Sequence, residues 1–262
     1  MKNIKAKFKI NTFTYLLILS ALWTGLIKNI SLILFIVIIH ELGHAFFLHR
    51  YEYEIIQIEI FPFGGITKVN KPINTPLKKE IMIAIGGVLA QLLLGICFYI
   101  FNQHGKIMQT TYDLFSFYNK TLIIFNLLPI IPLDGSIIMQ SIWEYFFSYK
   151  KATNIYFVCS IVSFLAFATF HTLKSLNNYM ILTFLFFKIY ETFQKRKYLI
   201  NRFYLERYLY EFPYERIESH NYPDLSKLKK DTLHFFWQKD RYLHEKEFLK
   251  NYYLKKQNKV IE

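Results

Sequence analysis

The sequence predicts an α-helical polytopic membrane protein. It should have six transmembrane helices, a short cytosolic-side β stretch after the second of them, and a small C-terminal cytosolic unit. Three observations carry the prediction. Apolar side chains make up 53% of the 262 residues, with 27 Phe and 20 Tyr. Apolar runs of near-spanning length recur at about 13–27, 30–48, 81–101, 116–147, 155–173 and 179–193. Lys and Arg gather on alternate connections between those runs, as they do where basic residues stay in the cytosol.

Lys2, Lys5, Lys7 and Lys9 precede the first run, which could pass for a cleaved leader. Leu22, Trp23 and Ile27 stand where a small-x-small cleavage site would be, so the run is expected to be a retained span. Residues 49–80 carry five basic residues, and Lys150 and Lys151 follow the fourth run. The other connections hold only Lys28, Lys106 with Lys120, and Lys174. Both termini are therefore expected in the cytoplasm, with the second span running inward and His44 toward its cytoplasmic end.

After that span, YEIIQIEIFPFGG alternates like a strand, placing Ile56, Ile58 and Ile60 on one face and Gln57 and Glu59 on the other. The third run, IGGVLAQLLLG, spaces Gly86, Gly87, Ala90 and Gly95 for close helix packing, and leaves Gln91 to make a buried interhelical hydrogen bond. The fourth is interrupted by NLLPIIPLDG, residues 126–135. Prolines there free backbone groups that only protein or a polar cavity can satisfy at membrane depth. Lys188, near the end of the sixth, is expected to snorkel to the surface.

The chemistry is concentrated in HELGH, residues 40–44. A four-residue spacing on a helix puts His40 and His44 about one turn apart on one face, so both imidazoles can reach one Zn²⁺. Glu41 points beside such an ion, suited to take a proton from water whose pKa the metal lowers to about 7. Gly43 leaves room for a neighbouring helix or for substrate. Ionisable groups in a lipid-spanning helix are costly, so a cluster of three calls for a compensation such as a metal. The pattern with a third His six residues on is excluded, because Arg50 occupies that place and Phe47 stands where it has Gly. Glu52, Glu54 and Glu59 are formal ligands but read better as solvated strand charges. Asp134, the one carboxylate in the proline break, would complete two His, one carboxylate and an open position; it could otherwise serve as the N-cap of a helix from Ser136 onward. Asn126, two turns earlier, could hydrogen-bond a substrate backbone or a developing oxyanion.

HELGH in an early span with NxxPxxPLDG in a later one resembles the site-2 protease family of intramembrane zinc metalloproteases. Six spans, the FPFGG stretch and the basic tail bring the chain nearest its sporulation branch. The resemblance implies His40, His44 and Asp134 as zinc ligands, Glu41 as catalytic base, and Asn126 and Pro132 near the substrate. It also implies a membrane-associated pro-sigma factor as substrate, inhibitory membrane proteins as partners, and the mother-cell membrane around the forespore as location. Family members commonly carry Gly-Pro and Asn in the third span, where this chain has Gly-Val and Gln91. Branch members also carry a nucleotide-sensing CBS domain at the C-terminal end, and the tail here looks like a shortened half of one.

The domain plan expected is a six-span protease domain over 1–194, a basic amphipathic linker over 195–223 and a small regulatory or docking unit over 224–262. No glycine follows Gly135, so a glycine-dependent phosphate cradle is not expected and partner or substrate docking is. Lys195, Arg196, Lys197, Arg202 and Arg207 lie among aromatics, as on a helix leaving an anionic membrane surface. Positive-inside placement accounts for much of the net charge of +13, so nucleic acid is not expected as a partner. His234 and His244 lack metal partners at suitable spacing and read as surface residues, as do His49, His104, His171 and His220. Cys97 and Cys159 read as small core residues with no disulfide. A transporter would spread polar residues over several spans and show internal repeats, which this chain does not. A non-hydrolytic membrane zinc protein would lose Glu41 or a ligand. A general site-2 protease acting on anti-sigma factors or signal-peptide remnants is the nearer alternative.

Overall fold

The computed structural model describes residues 7–61, 64–170, 176–238 and 240–261. Two compact units divide the chain, and each is built from three separate segments.

The first unit takes in Met1–Lys71, Ile81–Pro129 and Leu133–Ile138. Strand β1 (Lys7–Ile10) leads into helix α1 (Thr12–Thr24), and Gly25, at φ +73, turns the chain into α2 (Ile27–Arg50). Strands β2 (Glu54–Phe61) and β3 (Gly64–Asn70) then form an antiparallel hairpin, with β1 pairing parallel to the other side of β2. Pro62 and Phe63 of FPFGG lie outside the described residues. Helix α3 (Leu77–Gln103), α4 (Gln109–Asn126) and the start of α5 (Asp134–Phe146) follow.

The strand stretch departs from simple alternation. A bulge between Ile55 and Gln57 shifts the register by one residue, so Ile55 joins Ile58 against Leu48 of α2 while Ile56 turns outward, 52% exposed. Glu59 is buried rather than solvated. Asn11, Gln57 and Lys68 each donate to its carboxylate, and Asn11 foremost holds its pKa below the usual carboxylate value.

The second unit comprises Pro72–Glu80, Ile130–Pro132 and Met139–Glu262. Helix α6 (Tyr149–Phe170) and the long α7 (Leu176–Leu209) precede a three-stranded sheet of β4 (Arg216–His220), β5 (Thr232–Gln238) and β6 (Arg241–His244), and α8 (Glu245–Ile261) closes the chain. β4 runs parallel to β5, and β5 antiparallel to β6. Pairing of β4 with β5 draws the small unit back to Arg216, into the stretch expected as linker. Its core joins Tyr149 of α6 and Phe203 of α7, stacked 4.0 Å apart, to Leu228, Phe236 and Leu249. Arg207 does not face lipid: it is 1% exposed and ion-paired to Glu245. Lys188 pairs with Glu191 at 2.9 Å instead of standing free.

Three helices, α2, α3 and α6, are long and apolar enough to cross a bilayer, and α1 holds a shorter apolar helix. Large apolar side chains lie exposed along them, including Phe46 on α2, Leu93 on α3 and Val162 on α6, as expected for faces solvated by lipid. Cys97 is exposed on α3 rather than interior, and Cys159 is half-buried; both are free thiols.

Candidate metal centre

The one-turn spacing read from HELGH places His40 and His44 together on the buried face of α2, their rings 4.6 Å apart and almost perpendicular. Each ring is fixed through its Nδ1. That of His40 lies 3.0 Å from Gln91 Oε1, and that of His44 lies 2.7 Å from the Ile83 carbonyl, both on α3. Both partners are acceptors, so each Nδ1 carries the proton and each Nε2 keeps its lone pair.

Those two Nε2 atoms lie 3.0 Å apart, and Asp134 Oδ2 lies 3.0 Å from the first and 3.3 Å from the second. Oδ2 is buried and accepts no hydrogen bond among the described residues. Three lone pairs thus converge with no proton between them, an arrangement that is repulsive alone and suits a small cation. Two imidazoles and a carboxylate are the donor set of a catalytic zinc, so the residues present fit that ion.

Glycines permit this geometry. A Cβ on Gly43 would come 2.3 Å from the Gly86 carbonyl, so α2 and α3 touch backbone to backbone, as the spacing of small residues predicted. At Gly87 it would meet His40 Cε1 at 2.5 Å. Gly135 lets the proline break fold back on itself, since a Cβ there would lie 2.1 Å from the Leu127 carbonyl. That fold delivers Asp134 as the first residue of α5, with Oδ2 toward the imidazoles; the turn at the helix start is closed by Ser136, whose N–H and Oγ both donate to the Leu133 carbonyl.

Glu41 is 4% exposed, and its carboxylate lies within 4.8 Å of the two imidazole nitrogens. Thr67 Oγ1 on β3 donates to its Oε2 at 2.7 Å. Gly65, also on β3, passes so close that a Cβ would lie 2.3 Å from Glu41 Cγ. Glu59 is occupied elsewhere, and Glu54 takes a bond from Asn70, so neither joins the group. Asn126 ends α4 half-buried, and Pro132 is half-buried after a cis peptide bond in the break.

Sequence reasoning gave Gln91 a buried interhelical hydrogen bond, and the bond goes to His40. It missed Ile83, Thr67, Gly65 and Gly87. A backbone carbonyl leaves no trace in residue type, and the strand residues have no spacing relation to HELGH.

A second cluster, Glu218, His220 and His234, lies in the C-terminal sheet. His234 is fully buried, contrary to the surface reading. The Lys229 N–H donates to its Nε2 at 2.9 Å, so its Nδ1 carries a proton and donates to His220 Nε2 at 2.9 Å. The ring nitrogens facing each other are therefore used in a hydrogen bond, which disfavours a metal there. His49, His104 and His244 are exposed, and His171 lies outside the described residues.

Comparison with known proteins agrees with this centre. The model of peptidase family M50 matches residues 29–106 and 102–169. The chain is 31% identical to stage IV sporulation protein FB of Bacillus subtilis (strain 168) over 205 residues, covering 77% of this chain and 71% of that protein. It is 34% identical to a zinc metalloprotease of Methanocaldococcus jannaschii over 45% of this chain and 35% of that one. Among solved structures, a site-2 protease from Methanocaldococcus jannaschii superposes with a TM-score of 0.58 at 25% identity, covering 73% of this chain and 92% of that one. A zinc-binding donor set buried between apolar helices and these matches have one reading: the chain belongs to peptidase family M50, the site-2 proteases, and is an intramembrane zinc metalloprotease.

Proposed function

We propose that His40, His44 and Asp134 hold the zinc, that Glu41 is the catalytic base, and that Asn126 and Pro132 border the substrate. The substrate is a membrane-associated pro-sigma factor, cut during sporulation in the mother-cell membrane around the forespore and restrained by inhibitory membrane proteins. The observation that carries the site assignment is the convergence of two imidazole lone pairs on the unpartnered Asp134 Oδ2, with Glu41 alongside. The similarity to a sporulation protein over 77% of the chain supports the substrate assignment.

Zinc, when bound, supplies a Lewis acid that polarises the scissile carbonyl and acidifies water. Glu41 takes the proton of the attacking water and passes it to the leaving nitrogen as the C–N bond breaks. The Thr67 hydroxyl holds one carboxylate oxygen, leaving the other to handle the proton. Asn126, whose amide has no hydrogen-bond partner among the described residues, donates to the substrate backbone.

A substrate helix must be unwound before its carbonyls are free. β2 cannot pair with it, because β1 and β3 already occupy both of its edges. The edge of β3 away from β2, unpaired among the described residues, carries Gly65 and Thr67 against Glu41 and receives an extended substrate. Helices α1 to α7 make the six crossings, with α4, the proline break and α5 as the fourth and both termini cytoplasmic. The C-terminal unit docks partner or substrate.

The test is co-expression with a candidate pro-sigma factor. Cleavage is expected from the unaltered chain and not in the presence of a membrane-permeant chelator; no cleavage of any pro-sigma factor, with cleavage of an anti-sigma factor instead, would overturn the substrate assignment.

A further inference from the structure

One of the buried charges outside the metal centre lies in the loop just before β5. Lys230 is 2% exposed, and its ammonium donates to Glu80 Oε2 at 2.7 Å and to Glu144 Oε2 at 3.0 Å. Glu80 is in the first turn of α3, and Glu144, completely buried, is near the end of α5, where Gln140 donates to its other oxygen at 2.6 Å. The next residue works on the same helix end: Asp231 Oδ2 accepts the Leu77 N–H at 2.8 Å, capping α3. Asp231 holds φ +53, a left-handed conformation, while its carbonyl accepts from the N–H groups of Glu215 and Arg216. Arg216 in turn donates to the Tyr145 carbonyl at 3.2 Å, at the C-terminal end of α5, with its guanidinium 4.4 Å from the Tyr145 ring. Behind the loop, buried Arg207 donates to the Lys229 and Thr232 carbonyls and is paired with Glu245.

Lys230 and Asp231 thus bind the ends of two helices, with Glu144 and Leu77 buried among their partners. Burial opposes the charge of Lys230, and Glu144 and Glu80 overcome it, holding the ammonium protonated. The two helix ends held in this way belong to the helices that serve the zinc. One turn beyond Glu80, α3 presents the Ile83 carbonyl to His44, then Gly87 and Gln91 to His40. At the opposite end of α5, about 15 Å from Glu144 at 1.5 Å per residue, is Asp134.

We propose that Lys230 and Asp231 are positioning residues for the metal centre. They fix the first turn of α3 and the last turn of α5, and through those rigid helices set where Ile83, Gln91 and Asp134 meet the two imidazoles. Loss of the contacts that Lys230 and Asp231 make with these helix ends would then weaken the metal site from a distance. The proposal rests on the zinc assignment above.

The test uses the full chain in detergent, zinc-free and then loaded with Co²⁺, whose visible absorption bands report ligand geometry. Lys230→Met removes the ammonium. Asp231→Gly removes the cap while keeping the left-handed backbone, so it serves if Lys230→Met does not accumulate. Lys230→Arg keeps the charge. In the first two, the cobalt bands are expected to shift and weaken, and competition with a chelator should show metal affinity down about tenfold, the lower end for loss of outer-shell support. Amide exchange should rise at residues 77–84 and 134–146 of the metal-free protein. Lys230→Arg should restore most of each change. Faster exchange with unaltered cobalt bands and affinity would show a purely structural loop and overturn the proposal, as would no change in either. An unaltered protein that takes up no cobalt or zinc would overturn the zinc assignment itself, and the proposal with it.

Discussion

Glu41 lies 4% exposed in an apolar helix, held by one hydroxyl and grazed by one glycine, and these contacts define what it can do. Glu41→Gln keeps the shape and the Thr67 bond but removes the base. Cleavage in co-expressed membranes is expected to fall by at least about 10²–10⁴-fold, the usual contribution of a positioned acid–base group, with protein level and zinc content unchanged. Retained cleavage would refute the role. Gln91→Leu leaves His40 Nδ1 without its acceptor and frees the ring to turn. Zinc affinity measured against a chelator should drop about 10–100-fold, as for other outer-shell losses. At this scale HELGH and the acid of PLDG stood out in the sequence because intramembrane charge is rare and the helical period is fixed, and the fold brings them together. Gln91 was legible as a buried polar group but not as the partner of His40, since a single sequence gives no pairing between two spans.

Among elements, β3 approaches the base most closely. Gly65→Ala would force a Cβ to within 2.3 Å of Glu41 Cγ, so strand or carboxylate must shift. A misplacement of about 1 Å costs on the order of 10²-fold in rate, so activity should fall by about that factor while zinc stays bound. Normal turnover in Gly65→Ala would mean that β3 does not sit against Glu41 in the working enzyme. The C-terminal sheet has a different liability. Burial first, then the nearby charges of Arg207, His220 and Lys229, lower the His234 pKa to about 3, and the Lys229 N–H occupies its Nε2. The unfolded chain takes up a proton near pH 6.5 that the folded one refuses. Stability from this site is therefore complete above about pH 6.5 and is lost progressively as pH falls toward 3. The thermal midpoint of the purified protein should decline over that window, and less steeply in His234→Gln; equal slopes would remove His234 as the cause. Element positions followed well from apolar runs, while the bulge at Ile55 and Gln57 and the pairing of β4 with β5 did not. A bulge is decided by which partner strand arrives, and β4 is too short and polar to announce itself.

For the whole molecule, the sequence made membrane residence plain and the number of crossings less so. α2, α3 and α6 have the length and apolarity to span, whereas α4 and α5 are separated by the proline break and α7 runs on into polar surroundings. Reporter fusions after residues 50, 106, 150 and 210 should read cytoplasmic, external, cytoplasmic and cytoplasmic if the six-span path holds; an external signal after 210 would break it. The burial of Lys230 and Arg207 was hidden for a simple reason: in a basic tail every cation looks like a surface cation until its carboxylates are located. Central to the whole account is one zinc ion held by residues from α2 and from the start of α5. Metal analysis of the purified full chain tests it directly: about one zinc per chain is expected in the unaltered protein and very little in Asp134→Ala. An Asp134→Ala protein that keeps its full zinc content would contradict the account.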